Sequence, residues 1–116
     1  MANMRANRVK AKLREGMAAT VLSGLNTPEI IDFLGPYGFD GMWIEAEHAS
    51  NTWEQIANMT RACDLWGMTS LVRVTNNEPS LITRTLDVGA MGVVVPHVNN
   101  RDTAKTAMKS ALYGPI

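Results

Sequence analysis

Acidic, basic and cationic side chains follow three short apolar runs of the sequence. They are Glu45, Glu47 and His48 after Phe39–Ile44, Arg73 after Met68–Val72, and His97, which follows Pro96, after Met91–Val95. An imidazole beside carboxylates is a candidate general base, because nearby negative charge fixes its tautomer and tunes its pKa toward neutrality. An arginine offers a planar fork of donors that fits the head group of a keto acid and can stabilise an enolate oxygen. These residue types therefore indicate proton transfer on a small substrate that carries a carboxylate.

Each of these residues also has a structural interpretation. His48 could cap a helix or bond a backbone carbonyl, but a position after a strand favours function, and the same holds for Arg73. Glu45 and Glu47 fit a ligand-orienting pair and ordinary ion pairing equally well, and Glu47 is the stronger candidate. His97 on its own is better explained as a hydrogen-bonded loop residue.

The elements that must position these residues alternate between apolar runs and segments of helical periodicity. The runs are Met17–Leu22, Phe39–Ile44, Met68–Val72 and Met91–Val95. This alternation predicts βα units with parallel strands, whose ligand sites lie at the carboxyl ends of the strands. A closed barrel takes about 250 residues, so we predict that residues 1–116 form one partial barrel domain or a small open sheet. Exposed strand edges would then be covered by further chain or by a second copy.

Capping residues mark the expected helix boundaries. The predicted starts are Thr27-Pro28, Asn51 with Glu54 as a capping box, Glu78-Pro79, and Asn99 or Asn100, the last helix stopping near Gly114-Pro115. Gly67 and Gly89 should end helices in a left-handed conformation just before strands. A first helix over about residues 3–15 precedes strand one and would cover the bottom of a barrel or simply lie on the surface.

Composition narrows the classes of partner. Eleven basic and eleven acidic residues cancel without any strong basic cluster, so we expect small-molecule ligands and neither nucleic acid nor a membrane. No continuous apolar run follows the basic start, and the single Cys63 is best explained as a small buried hydrophobe, so the cytoplasm is the expected compartment. The three tryptophans, Trp43, Trp53 and Trp66, and the eight methionines are predicted to pack in the core or at interfaces.

Several segments in this order and spacing resemble the HpcH/HpaI aldolase/citrate lyase family over nearly the whole chain. They are Gly38-Phe39-Asp40, Ile44-Glu45-Ala46-Glu47-His48-Ala49, Leu71-Val72-Arg73-Val74, Leu86-Asp87-Val88-Gly89-Ala90, and Val94-Val95-Pro96 with Val98. Each segment alone is common, but the set is moderately specific. The chain is thereby identified as similar to the N-terminal half of a class II pyruvate aldolase.

The resemblance implies a fold, an activity and residue roles. The fold is the N-terminal (βα)₄ half of a TIM (β/α)₈ barrel with an extra N-terminal helix, and the full-length activity is aldol cleavage or formation through a pyruvate enolate. His48 would act in acid–base transfer, Arg73 would bind pyruvate oxygens, and Glu47 and Pro96 would line the substrate site. Asp87 would pair with the histidine, yet it is predicted at the end of a helix on the opposite side, so a neighbouring subunit could supply it.

Two departures bear on activity. Family members usually carry Ile-Asp-Gly-Glu-His where this chain has Ile44-Glu45-Ala46-Glu47-His48, so a carboxylate is longer and a glycine is replaced. The resemblance also implies a divalent metal (Mg²⁺, Mn²⁺ or Co²⁺) whose ligands would lie beyond Ile116, so no metal site is expected within this chain and turnover by it alone is not expected.

A different class of protein also fits the sequence. The chain could be a non-catalytic half-barrel that binds or scaffolds other molecules and dimerises through its exposed strands. A flavodoxin-like open sheet that binds a phosphorylated ligand is the weakest alternative, because Ser23-Gly24 is all that follows strand one in place of a glycine-rich loop.

Overall fold

A computed structural model describes residues 5–24 and 27–112 and contains one four-stranded parallel sheet. The elements are α1 (Arg8–Arg14), β1 (Val21–Leu22), α2 (Pro28–Leu34), β2 (Gly41–Glu45), α3 (Trp53–Leu65), β3 (Thr69–Arg73), α4 (Pro79–Asp87), β4 (Gly92–Val94) and α5 (Arg101–Ser110), with a short 3-10 helix at Gly35–Tyr37. Strand order follows chain order, β1-β2-β3-β4. The predicted alternation of strands and helices and the (βα)₄ half-barrel class are therefore confirmed.

Side chains of the central strands alternate between two faces of the sheet. Met42 and Ile44 of β2 are fully buried against the helices, whereas Trp43 and Glu45 point to the opposite face and are only partly buried. The helix-side core is the cluster Ile31, Met42, Ile44, Ile56, Met59, Ala62, Cys63, Met68, Val72 and Ala90. Burial raises the pKa of the Cys63 thiol to about 12, as expected for an inert core cysteine.

Helix α1 lies across the amino-terminal ends of the strands. Nε of Arg8 lies 2.8 Å from Oδ1 of Asp40, and Nζ of Lys12 lies 2.9 Å from the same oxygen. Thr20 donates its backbone N–H to Oδ2 of Asp40 at 2.8 Å, and the Asp40 carboxylate is completely buried directly before β2. Of the two placements considered for the first helix, the structure therefore shows the one that covers the bottom of the half-barrel.

Several predicted helix boundaries are confirmed, and others differ from the prediction. Thr27 caps α2, and Glu78-Pro79 begins α4, while Gly67 and Gly89 follow α3 and α4 with positive φ of 66° and 116°. Helix α1 begins only at Arg8, after the cap residue Asn7, and residues 1–4 lie outside the described ranges. Strand β1 is limited to Val21–Leu22, much shorter than the apolar run that predicts it.

The predicted capping box of α3 is wrong by one residue. The Thr52 hydroxyl accepts the N–H of Gln55 at 3.2 Å, and Oε1 of Gln55 accepts the N–H of Thr52 at 2.7 Å. Asn51 is unavailable for capping because its side-chain amide donates to the carbonyl of Glu45 at 2.6 Å. Helix α5 is capped by Asn100 and ends at Ser110, and the predicted stop at Gly114-Pro115 lies outside the described residues.

The sheet face opposite the helices is partly exposed. Trp43 of β2 stands beside Leu71 of β3 in register, and both side chains are only half-buried.

In the parts of the chain that the structure describes, no helix is long and apolar enough to cross a membrane.

Candidate active site

A cavity of about 490 Å³ opens at the carboxyl ends of β1, β2 and β3. Its walls are formed by Val21, Ser23, Gly24, Trp43, Glu45, His48, Ala49 and Arg73. Parallel pairing of the strands brings their ends to one edge of the sheet, so residues far apart in sequence meet here. The structure thus places His48 and Arg73 in one cavity.

Glu45 and Arg73 form the floor of this cavity. They are register partners at the ends of β2 and β3, and Nε of Arg73 donates to Oε2 of Glu45 at 2.9 Å. Oε1 of Glu45 also accepts the backbone N–H of Glu47 at 2.7 Å and that of His48 at 3.3 Å. Burial alone would raise the pKa of Glu45, but the hydrogen bonds from Arg73 and the two N–H groups outweigh it and lower the pKa to about 2.

These contacts hold the loop after β2 in a defined shape. Glu45 accepts the N–H groups of the next two polar residues, while its own carbonyl accepts the amide of Asn51. The loop that carries Glu47 and His48 is therefore fastened at both ends to one residue of β2. Glu45, whose side chain is one methylene longer than the aspartate usual at this position in the family, therefore stabilises the conformation of the loop.

Glu47 is the most shielded carboxylate among these side chains, with 9% of its side chain exposed. Its Oε2 lies 3.1 Å from Nε of Arg73 and 3.7 Å from Nε2 of His48. Its Oε1 lies 3.1 Å from Nε2 of His97. Glu47 therefore contacts both histidines and the arginine at once.

Arg73 keeps one edge of its guanidinium group available. Nε and Nη2 engage Glu45, whereas Nη1 donates to no other residue within the ranges that the structure describes. The hydrogen bond to Glu45 raises the pKa of Arg73 above its ordinary value, so its charge is permanent. The guanidinium carbon also lies 5.8 Å from the ring centre of Trp43, within the range of a cation–π contact.

His48 is the accessible proton-transfer candidate. Its side chain is 72% exposed and lines the cavity, while its backbone N–H is fixed by Glu45. Asp87, in contrast, is the last residue of α4, and the antiparallel course of this helix places it at the amino-terminal side of the sheet. Within a single chain the structure does not bring Asp87 to His48.

The loop after β4 approaches the site from the side. Pro96 is half-buried behind β4 and is not among the residues that line the cavity. His97 follows it with a φ of 58° and reaches Glu47 from outside the cavity. Glu47 is likewise not among the lining residues, so the substrate contacts expected of Pro96 and Glu47 stay predictions. His97 is the hydrogen-bonded loop residue that the sequence predicts, and its partner is Glu47.

Trp43 is the main residue that sequence reasoning missed. Its residue type predicts packing, yet the structure places it in the wall of the cavity beneath Arg73. The sequence pattern of the strand could have predicted this position, because Trp43 lies two residues before Glu45 and so shares its face of the sheet, whereas Met42 and Ile44 point to the buried face. Trp53 lies under Arg84 at 4.4 Å, and Trp66 donates its indole N–H to Asp32 at 3.0 Å, so these two do serve as packing residues.

The residues present do not fit a divalent metal. Within residues 5–24 and 27–112, no group of three or more His, Cys, Asp or Glu side chains is arranged to hold a cation. Both carboxylates of the site are instead paired with Arg73. Their oxygens are therefore occupied by donors and poorly disposed to act as ligands.

Comparison with known proteins defines the group to which this half-barrel, with its carboxylate–histidine–arginine cluster at the strand ends, belongs. The family model described as HpcH/HpaI aldolase/citrate lyase matches residues 19–115, and the chain belongs to this family. It is 32% identical to "Pyruvate aldolase" of Rhizobium etli over 94% of this chain and 43% of that protein. It is 33% identical to "4-hydroxy-2-oxo-heptane-1,7-dioate aldolase" of Escherichia coli over 94% of this chain and 42% of that protein.

Solved structures show the same relationship. An HpcH/HpaI aldolase from Desulfitobacterium hafniense superposes with a TM-score of 0.84 at 28% identity, over 95% of this chain and 43% of that one. The citrate synthase SbnG superposes with a TM-score of 0.86 at 30% identity, over 95% of this chain and 45% of that one. The chain therefore spans less than half the length of the relatives that it matches.

Proposed function

We propose that this chain supplies the 2-oxo-acid-binding and proton-transfer part of an aldolase, a carbon–carbon lyase that works through a pyruvate enolate. The observation that carries the proposal is the single cavity that holds His48 beside Arg73 at the strand ends. Family membership supports the reaction class, since relatives named as aldolases match almost the whole chain.

Arg73 is assigned to the carboxylate or enolate oxygens of pyruvate. Its Nη1 edge has no acceptor among the described residues, and Glu45 fixes the orientation of the guanidinium plane. A preorganised donor of this kind stabilises negative charge more strongly than one that must reorient. Trp43 supports the same group from one face, which reduces the freedom of the guanidinium to rotate.

His48 is assigned to proton transfer between substrate and solvent. The ring is exposed to the cavity, and Oε2 of the Glu47 carboxylate lies 3.7 Å from its Nε2. Asp87 lies too far along α4 to assist within the same chain. We therefore assign it to the His48 of a neighbouring subunit in a homo-oligomer.

The cofactor and the compartment belong to the same proposal. An aldolase of this class uses Mg²⁺, Mn²⁺ or Co²⁺ as its Lewis acid, and we assign its ligands to residues other than Glu45 and Glu47, whose carboxylates are paired with Arg73. Substrates would be small, a 2-oxo acid and an aldehyde. A single buried cysteine fits a reducing compartment, so we place the protein in the cytoplasm.

Exchange of the pyruvate methyl protons with deuterium tests the assignment without knowledge of the aldehyde. In D₂O with pyruvate and Mg²⁺, Mn²⁺ or Co²⁺, proton NMR should show loss of the methyl signal with the protein that contains this chain. His48→Ala should slow the exchange by about 10²-fold or more, because a general base contributes about 10²–10⁴-fold. Lys105→Ala, an exposed change on α5, should leave it unaltered.

Exchange by His48→Ala at the rate of the unaltered protein would refute the role of His48. Arg73→Lys provides a second test of the assignment. Lysine keeps the positive charge, but its single ammonium group cannot bind Glu45 on one side and offer a separate donor such as Nη1 to the substrate. We expect it to weaken pyruvate binding by at least about ten-fold. Binding of undiminished strength would refute the role of Arg73.

A non-catalytic half-barrel that dimerises is the second candidate, and the half-exposed sheet face with Trp43 and Leu71 favours it. A dimer buries such a face without further chain. Sedimentation of the 116-residue chain as a stable dimer, together with no pyruvate binding by the protein that contains this chain in the presence of the metal ion, would support this candidate and contradict the aldolase proposal.

A further inference from the structure

His97 joins two loops across the end of β3. It belongs to the loop after β4, and its Nε2 lies 3.1 Å from Oε1 of Glu47 in the loop after β2. Between these two loops lies Arg73 at the end of β3, in contact with the other oxygen of Glu47 at 3.1 Å. The two oxygens of one carboxylate thus have separate partners.

We propose that His97 is a positioning residue: by holding Oε1 of Glu47 it keeps Oε2 beside Arg73 and leaves Nη1 of Arg73 available for the carboxylate of a 2-oxo acid. The inference rests on the proposed function, since it concerns the ligand assigned to Arg73. It adds a role for a loop residue that does not itself line the cavity.

The exposure of the two side chains supports this role. The His97 side chain is 72% exposed and that of Glu47 only 9%, so burial does not explain where the imidazole lies. Its contact with Glu47 is the interaction that orients it. In the same way, the imidazole covers one oxygen of a carboxylate whose other oxygen is covered by Arg73 and His48.

The backbone of His97 gives a second, independent indication. Its φ of 58° is the only positive value at a non-glycine residue within the ranges that the structure describes. Residues with a Cβ adopt this left-handed region at a cost, and glycine or asparagine would adopt it more readily. The turn after Pro96 directs the imidazole back over the loop of β2, where it meets Glu47.

Loss of the imidazole would free one end of Glu47. The terminal torsion of a glutamate is broad, so an unanchored carboxylate can rotate toward the remaining donor edge of Arg73. A carboxylate on Nη1 would compete directly with the carboxylate of the substrate, because both need the same planar donors. Substrate affinity should therefore fall although His97 never contacts the substrate.

The test measures pyruvate affinity by NMR titration of the unaltered protein and of five variants. We expect His97→Ala to weaken pyruvate binding by about ten- to a hundred-fold, the effect of one hydrogen bond to a charged group. His97→Gln, whose amide can still donate to Glu47, should restore most of the affinity. Val98→Ala removes an exposed side chain from the same loop and should leave the affinity unchanged.

The double variant His97→Ala/Glu47→Gln, compared with Glu47→Gln alone, separates positioning from a general structural role. If His97 acts only through Glu47, its removal should weaken binding no further once Glu47 is altered. Thermal unfolding of each variant checks that the fold is retained. Equal affinity of His97→Ala and the unaltered protein, or no rescue by His97→Gln, would overturn the inference and leave the proposed function intact. Failure of the unaltered protein to bind pyruvate would overturn both.

Discussion

Glu45 and Arg73 stand opposite each other at the ends of β2 and β3, and Nε of Arg73 lies 2.9 Å from Oε2 of Glu45. The pair connects the ordering of a loop with the orientation of a cation, because the same carboxylate accepts the N–H groups of Glu47 and His48. A change at Glu45 should therefore affect both the stability of the fold and the orientation of the Arg73 guanidinium group.

Glu45→Gln should make stability less dependent on acid pH. The pKa of Glu45 is lowered from 4.5 to about 2 in the folded state, so its contribution is present above pH 4.5 and is lost as the pH falls toward 2. We expect the variant to be less stable by about 2 kcal/mol at pH 7, and the difference should shrink between pH 4.5 and pH 2. Urea unfolding at several pH values measures this difference, and Glu54→Gln on the exposed start of α3 is the control. A difference that does not change with pH would contradict the assignment.

Asp40→Asn should be strongly destabilising. The buried carboxylate accepts the N–H of Thr20 and a hydrogen bond from Lys12, which together hold its pKa well below the usual range, and it also contacts Arg8. Breaking a buried ion pair typically costs about 3–5 kcal/mol, and α1 should loosen at the same time. Calorimetry and amide exchange of residues 8–14 measure the two effects. The exposed Asp102→Asn should shift Tm little, and a similar shift in both variants would show that Asp40 is not the anchor of α1.

Pyruvate binding should change the fluorescence of Trp43. This indole lines the cavity and lies 5.8 Å from the Arg73 guanidinium carbon, whereas Trp66 is bound to Asp32 on the outer surface. The emission change on titration with pyruvate should disappear in Trp43→Phe and persist in Trp66→Phe. Persistence of the full change in Trp43→Phe would place the ligand elsewhere.

Mixing two inactive variants should restore activity if Asp87 acts on the His48 of a neighbouring subunit. His48→Ala and Asp87→Asn subunits, dissociated and reassembled in equal amounts, would form about a quarter of their sites from an intact histidine and an intact aspartate. Deuterium exchange of pyruvate should then recover toward that fraction. Recovery would not occur if both residues serve one chain, and a mixture of His48→Ala with Arg73→Lys is the matched negative control.

Strand and helix alternation and the edge of the sheet that carries the site could be predicted from the sequence, because both follow from local patterns. The alternation of buried and partly buried side chains in β2 is typical of a strand, and Gly67 and Gly89 mark the points where two helices end. Proximity of Glu47 to His97 could not be predicted, since it depends on strand register and on a turn at His97 that no local pattern encodes. The same is true of Asp40, whose three partners come from α1 and from the residue preceding β1.

The order of the strands has a consequence for how the chain folds during synthesis. Each strand pairs with the one immediately before it in the chain, β1 with β2, β2 with β3 and β3 with β4. Every pairing can thus form as soon as its own segment has left the ribosome, and no strand waits for a distant partner. The nascent chain can consequently grow from a folded template one βα unit at a time.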